Sequence, residues 1–135
     1  MKVNEDIAEL MGIILGDGNI YVDESNGHYQ LRITGHLSND KDYHEKFIKD
    51  LFWRIFKKEL KVKCYENRRV LYYYGKEIIC ELLKLGLVSG NKLKNNINIP
   101  TWIFSNKEYM KSCLRGLIDT DGSVFPKSTI KISFK

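Results

Sequence analysis

Along the chain, the spacing of hydrophobic residues alternates between the period of a helix and that of a strand. After Asn4, a residue type that caps helices, apolar side chains recur every three or four positions up to Leu15. The glycines that follow, on either side of Asp17, predict the end of this first helix. Residues 19–23 and 30–34 alternate apolar and polar positions around a glycine-containing turn, which predicts a hairpin.

The next part of the chain repeats this order. A broad apolar stripe over residues 40–58 predicts a long amphipathic helix, and alternation over 61–65 and 70–74 predicts a second hairpin. A further helix is expected over 76–85, whereas the polar residues 91–98 are expected to form a loop. The pattern therefore predicts an α+β fold in the order αββαββα.

A last helix is predicted from about Lys107, and it repeats the motif of the first helix. Leu114-Arg115-Gly116-Leu117-Ile118-Asp119-Thr120-Asp121-Gly122 stands 104 positions after Leu10-Met11-Gly12-Ile13-Ile14-Leu15-Gly16-Asp17-Gly18. Residues 123–125 and 130–133 then match the start of the first hairpin, so a second module is expected to begin there. We divide the chain into a first module with its connecting loop (1–105) and the second motif helix with a second module that is cut short (106–135).

Each motif places a carboxylate where an apolar helix ends. Gly12 and Gly16 leave one helix face without side chains, and Gly116 with the small Thr120 does the same on the other helix, so close approach of the two backbones is expected.

Helices packed in this way would hold Asp17 and Asp121 together, and paired carboxylates favour a divalent cation. A carboxylate at the negative end of a helix dipole is unfavourable without a cation, although a turn hydrogen bond is the alternative for either residue alone.

In these two motifs, in the strand order between them and in Pro100-Thr101-Trp102-Ile103, the chain resembles the LAGLIDADG homing endonucleases. The first motif departs from the family at Leu15, where an acid is common. The resemblance implies a saddle-shaped antiparallel sheet that lies in the major groove of double-stranded DNA. It also implies that Asp17 and Asp121 bind Mg²⁺, or another divalent cation, at the scissile phosphates, with the backbone of Gly16 and Thr120 nearby.

The polar face of the sheet is the expected DNA-binding surface. By strand parity its residues are Asn19, Tyr21, Asp23, Gln30, Arg32, Thr34, Lys61, Lys63 and Tyr65, joined by Arg68 and Tyr72. For each of them, an ordinary solvated sheet face is the alternative.

Four residues near the motifs are secondary candidates. Family members place a basic residue near the metal, and Lys92 is the best candidate, followed by Lys94; a solvated loop lysine is the alternative. His36 could reach the cleavage site but is better explained as a surface residue, and Asp119 is expected to face away and brace the helix end.

Composition narrows the class of partner. The net charge is +5, and the excess of lysine and arginine between Lys57 and Lys76 favours a nucleic-acid partner. No apolar run approaches the roughly 20 residues of a membrane span, and the N-terminus has no secretion signal, so no membrane partner and a cytoplasmic location are expected. Cys64, Cys80 and Cys113 have no spacing typical of disulfides or zinc and are expected to be reduced core residues.

The paired motifs make a site-specific double-strand DNA endonuclease of the homing type the expected function. It is expected to be free-standing, without a self-splicing intein domain, because no splicing residues stand at the ends of the chain. A catalytically impaired DNA-binding remnant, or a DNA- or RNA-binding protein that assists intron splicing or regulation, is the alternative. A complete protein is expected to be monomeric, whereas truncated chains could associate through their motif helices.

Overall fold

The structure consists of an antiparallel sheet, whose strands do not all pair in chain order, and of helices packed on one of its faces. The computed structural model describes residues 2–36, 41–90 and 99–121, apart from the side chains of His36, Thr120 and Asp121. The described elements are α1 (Glu5–Asp17), β1 (Gly18–Asp23), a 3-10 turn (Glu24–Asn26), β2 (His28–His36), a π-helical segment (Tyr43–Ile48), α2 (Lys49–Phe56), β3 (Lys61–Cys64), β4 (Arg68–Tyr74), α3 (Lys76–Lys84), α4 (Thr101–Phe104) and α5 (Lys107–Asp121).

Helix α1 begins and ends where the sequence predicts. The Asn4 side-chain oxygen accepts a hydrogen bond of 2.9 Å from the Ile7 N–H, which satisfies one of the free donors of the first turn. The helix ends at Asp17, and Gly18 leaves the helical conformation and begins β1 directly. Strand β1 therefore starts at the motif carboxylate with no intervening loop.

The four strands pair in the order β1-β2-β4-β3, and every pair is antiparallel. This register places Ile20, Leu31, Ile33 and Leu71 on one face, where each is almost completely buried beneath the helices. The polar residues of the same strands fall on the opposite face. The predicted α+β class, the order of elements and the two-faced sheet are therefore confirmed.

Some expectations are corrected or lie outside the described residues. The long second helix is α-helical at Lys41 and Asp42, π-helical over Tyr43–Ile48 and α-helical again from Lys49. All three cysteines are free, but only Cys113 is buried and Cys64 is exposed, so the prediction that all three belong to the core is wrong. Cys64 lies on edge strand β3, most of which is exposed. The predicted loop 91–98 and the beginning of the second module, 122–135, lie outside the described residues.

Helices α1 and α5 pack backbone against backbone. A Cβ atom added to Gly12 would collide with the Cys113 carbonyl oxygen. One added to Gly116 would collide with the Glu9 carbonyl oxygen and come within 2.9 Å of the Ile13 nitrogen. The predicted close approach is confirmed for these two glycines, and for Gly16 and Thr120 it stays a prediction.

We expect Gly116→Ala to destabilise the protein by about 1–3 kcal/mol, because the new methyl group meets rigid backbone atoms. A loss of stability would be informative, because the same substitution in an unobstructed helix interior would stabilise the protein by about 1 kcal/mol. Urea unfolding measures the change. Lys111→Ala, at an exposed position of the same helix, serves as the control and should stay within about 0.5 kcal/mol of the wild type. A Gly116→Ala protein as stable as the wild type would contradict the contact.

Candidate functional site

The two motif helices run in the same direction. Near their first turns, the Tyr109 hydroxyl donates a hydrogen bond of 3.4 Å to the Val3 carbonyl oxygen, and Gly12 and Gly116 meet further along. Asp17 and Asp121 each stand five residues beyond the glycine of their own helix. Both helices therefore end on the same side of the molecule and at a similar level, roughly 7.5 Å past the glycine contact at 1.5 Å per residue.

The helix ends offer oxygen donors of the kind that suits a hard divalent cation. Asp17 is half-buried, and the side chain of Asp121 lies outside the described residues, so their joint coordination of a metal stays a prediction. In the described part of the chain, no three His, Cys, Asp or Glu side chains form a metal site. A cation held here by two carboxylates would complete its shell with backbone, water or phosphate oxygens, which is the usual pattern for Mg²⁺.

An ion pair between a buried glutamate and an exposed arginine crosses the interface of the two helices. Glu9 lies on α1 with only 7% of its side chain exposed, and its Oε1 is 3.3 Å from Nη1 of Arg115 on α5. Its second oxygen has no hydrogen-bond partner among the described residues. Burial raises the pKa of Glu9, and Arg115 opposes this while the charges of Asp119 and Asp6 add to it.

Glu9 was not among the residues predicted to matter, but the repeat carried a signal for its burial. Glu9 stands 104 positions before Cys113, a residue expected in the core. Cys113 is fully buried, and the equivalent position on α1 is almost as enclosed. Asp119, expected to face away from the metal, is exposed.

The polar sheet face gathers the residues expected to contact DNA. Arg32 on β2 lies between Asn19 and Tyr72 on the neighbouring strands, and Lys61 lies beyond Tyr72. The adjacent rows contain Tyr21, Gln30 and Tyr74 on one side and Thr34, Val70 and Lys63 on the other. Their register thus places the predicted strand residues on one face, and their contact with DNA stays a prediction.

A shallow concavity of about 330 Å³ lies on this face. It is lined by Gln30, Arg32, Lys63, Tyr65, Val70, Tyr72 and Tyr74. Tyr72 lines this concavity, and the Arg68 guanidinium lies 4.4 Å from the centre of the Tyr65 ring, so both residues belong to the face. Val70 and Tyr74 were missed, although the alternation of β4 places both on the side of Tyr72.

In the described part of the chain, three predicted DNA contacts make side-chain hydrogen bonds within the protein. The Asp23 carboxylate accepts from the Ser25 hydroxyl (2.8 Å) and the Asn26 amide (2.7 Å). The Asn19 amide donates to the Gly90 carbonyl oxygen (3.1 Å), while the Gly90 N–H donates to the Ile20 carbonyl oxygen (2.9 Å). The Gln30 amide donates to the Tyr74 hydroxyl (3.2 Å). In contrast, Arg32 makes no hydrogen bond or ion pair to the described part of the protein, which leaves its guanidinium available to a ligand.

The remaining candidates are not located by the structure. Lys92 and Lys94 lie outside the described residues, as does the side chain of His36. The bond between Asn19 and Gly90 nevertheless ties the segment that leads toward Lys92 to the beginning of β1. Among the described helices, none has both the length and the apolar character of a membrane span.

Comparison with known protein sequences finds relatives that this chain matches over only a part of their length. No family model matches the chain. The chain is 30% identical over 125 residues to an uncharacterized protein of Methanocaldococcus jannaschii, covering 92% of this chain and 43% of that protein. It is 30% identical over 125 residues to the replication factor C small subunit of the same organism, covering 86% of this chain and 7% of that protein. It is 28% identical over 139 residues to the ribonucleoside-diphosphate reductase NrdEB subunit alpha of Bacillus subtilis, covering 91% of this chain and 12% of that protein.

Solved structures of the homing endonuclease I-DmoI share the architecture. Mesophilic variants of I-DmoI match with a TM-score of 0.60 and 19% identity over 86% of this chain and 60% of theirs. I-DmoI in complex with DNA and Mn matches with a TM-score of 0.62 and 18% identity over 86% of this chain and 61% of that chain. The chain thus has the LAGLIDADG homing-endonuclease fold that its motifs indicate, and it spans less than two thirds of the length of these relatives.

We expect the stability of the protein to depend on pH through Glu9. Because the pKa of Glu9 is raised in the folded state, the folded protein binds this proton more tightly than the unfolded chain, whose glutamate pKa is about 4.3. The free energy of unfolding of the wild type, minus that of Glu9→Gln, should therefore fall as pH rises from about 4.3 through the raised pKa. Urea unfolding at a series of pH values measures this difference.

Arg115→Gln provides the matched control for that measurement. Arg115 lowers the pKa of Glu9, so its removal should extend the fall to higher pH. A difference that stays constant, or that grows with pH, would show that Glu9 is not the responsible group.

Proposed function

We propose that this chain is a member of the LAGLIDADG family and carries the first module and second motif helix of a divalent-metal-dependent, double-strand DNA endonuclease of the homing type. The observation that carries the proposal is the co-directional helix pair, whose glycine contact brings the last residues of α1 and α5, Asp17 and Asp121, to one level beside a basic sheet face. The fold shared with I-DmoI, which has been solved with DNA and Mn, supports it.

The distribution of sequence relatives supports the homing type. Segments similar to this chain make up only 7% of the replication factor C small subunit and 12% of the ribonucleotide reductase subunit. The names of these two proteins denote unrelated activities. A segment common to both fits a self-contained module carried by different hosts, as expected for an intron- or intein-associated nuclease.

Each group has a distinct role in the proposed reaction. Arg32, Lys61 and Lys63 contact phosphates and base edges of the duplex and so fix its register. Asp17 and Asp121 hold a divalent cation at the helix ends, where it would lower the pKa of a bound water and neutralise charge on the phosphate. Lys92 stabilises the negative charge that develops on the phosphate as the bond to the leaving oxygen breaks.

We expect Asp17→Asn and Asp121→Asn each to reduce Mg²⁺-dependent cleavage more than a hundredfold, because each removes a charge worth several kcal/mol of transition-state stabilisation. The substrate is a pool of double-stranded DNA with a randomised insert, and cleaved ends are captured by adapter ligation and sequenced. Asp119→Asn is the matched control, since it removes an exposed carboxylate from the same helix and should leave cleavage intact.

The same assay separates the alternatives. Cleavage that survives both Asp17→Asn and Asp121→Asn would refute the proposed metal site. Salt-dependent binding of the pool, without cleavage in Mg²⁺ or Mn²⁺, would identify a protein that binds DNA but does not hydrolyse it.

A further inference from the structure

A continuous series of aromatic rings crosses the polar face of the sheet at its hairpin end. The ring of His28 lies edge-to-face between Tyr21 on β1 and Tyr74 on β4, with centroid distances of 5.3 and 5.4 Å. Tyr74 in turn lies 5.5 Å from Tyr72. Tyr21 and Tyr74 keep 49% and 54% of their surface exposed. These rings therefore lie on the open face and contribute little to the core.

Internal hydrogen bonds hold this series of rings in place. Gln30 lies between Tyr21 and Tyr74 in the strand register. Its Nε2 donates to the Tyr74 hydroxyl at 3.2 Å, and its Oε1 lies 3.3 Å from Nε2 of His28. Because the Gln30 amide is used in this way, it acts as a positioning residue for two rings. A preorganised aromatic surface loses little entropy when a flat ligand stacks on it.

Cationic side chains continue the aromatic surface into the concavity. Lys63 lies 5.5 Å, and Arg68 4.4 Å, from the centre of the Tyr65 ring, and Arg32 lines the same concavity. None of the described residues that line it is a carboxylate. Its volume of about 330 Å³ is at the lower end of the range of small-ligand sites, a size that accommodates one flat ring.

This combination favours an unpaired strand of nucleic acid. In a duplex the flat faces of the bases are covered by their neighbours, so a protein reaches only base edges and phosphates. In a single strand the faces are accessible, and proteins bind them with aromatic side chains beside a basic groove that follows the backbone. Edge recognition of a duplex does not require exposed tyrosine rings, whereas stacking of unpaired bases does.

We propose that the polar sheet face has a second activity, which is to bind single-stranded nucleic acid by stacking unpaired bases on Tyr21 and Tyr74. One base enters the concavity beside Tyr72 and Tyr65, and Arg32 and Lys63 contact the adjacent phosphates. Because the residues overlap with the proposed duplex surface, single strands and duplex compete for this face. The activity does not depend on the helix-end carboxylates.

Fluorescence anisotropy with labelled oligothymidylate and oligouridylate tests this activity. The oligonucleotides are about 12 nucleotides long, which is within the site size of known single-strand binding surfaces. An abasic strand with the same number of phosphates should bind at least tenfold more weakly than oligothymidylate. Tyr21→Leu and Tyr74→Leu should each weaken oligonucleotide binding about tenfold, the effect of losing one stacked base. Tyr21→Phe keeps the ring and should bind like the wild type.

Trp53→Leu is the matched control, because Trp53 is also 49% exposed but lies on α2, in the helical layer. It should leave oligonucleotide binding unchanged. Thermal unfolding of each variant confirms that it is folded. A preference between oligodeoxyuridylate and oligouridylate, which differ only in the sugar, identifies DNA or RNA as the natural single strand, and equal binding indicates stacking without regard to the sugar.

The outcomes separate this inference from the proposed nuclease. Equal affinity for the abasic strand and oligothymidylate, or full affinity in a Tyr21→Leu, Tyr74→Leu double variant, would overturn the stacking surface even if the protein cleaves duplex DNA. Conversely, single-strand binding that requires both tyrosines, in a protein that neither binds nor cleaves a duplex, would support the stacking surface and refute the nuclease.

Discussion

The contact between the backbones of α1 and α5 at Gly12 and Gly116 is the constraint on which the structure depends. Neither position has room for a Cβ atom, because a carbonyl oxygen of the other helix occupies that space. Two helices this close have few relative positions available, since sliding or rotation would bring larger side chains into the contact. The glycine pair therefore fixes the level at which both helices end, and with it the relative position of the Asp17 and Asp121 backbones. It also encloses Glu9, whose partial pairing with Arg115 is an electrostatic cost of the close approach.

The contact between α1 and α5 also sets the position of the sheet, because the first strand continues directly from α1. Strand β1 begins at Gly18, immediately after Asp17, so the polar sheet face starts at the end of the helix. The Asn19 amide then holds the Gly90 carbonyl oxygen, which brings a distant part of the chain to this point. Asp17, at the end of α1, is consequently close along the chain to Asn19, the strand partner of Arg32. Under the proposed function, a polyanion on the sheet face would therefore lie near the cation held at the helix ends.

Local patterns predicted most of the fold, and tertiary contacts account for what they missed. The Asn4 cap, the helix end at Asp17 and the two faces of the sheet depend on neighbours within a few residues, so periodicity and capping rules were sufficient. The exposure of Cys64 depends on how far the helical layer extends over β3, which its alternating pattern does not encode. Similarly, Asn19 and Gln30 were predicted to contact a ligand, but their side-chain amides donate to other parts of the protein. Asn19 donates to Gly90 and Gln30 donates to Tyr74. The position of Asp17 on its helix was predictable, whereas its geometry relative to Asp121 depends on side-chain placement.

The covering of β1 by the segment around Gly90 has a consequence for solubility. An open strand edge invites another chain to add to the sheet, which is a common beginning of fibril growth. Here Gly90 binds the Ile20 carbonyl oxygen and the Ser89 hydroxyl accepts the Val22 N–H, so part of this edge is already occupied. The opposite edge is β3, which is only four residues long and carries Lys61 and Lys63. Pairing of copies through their sheet edges is thereby disfavoured on both sides, while the polar face between the edges stays open.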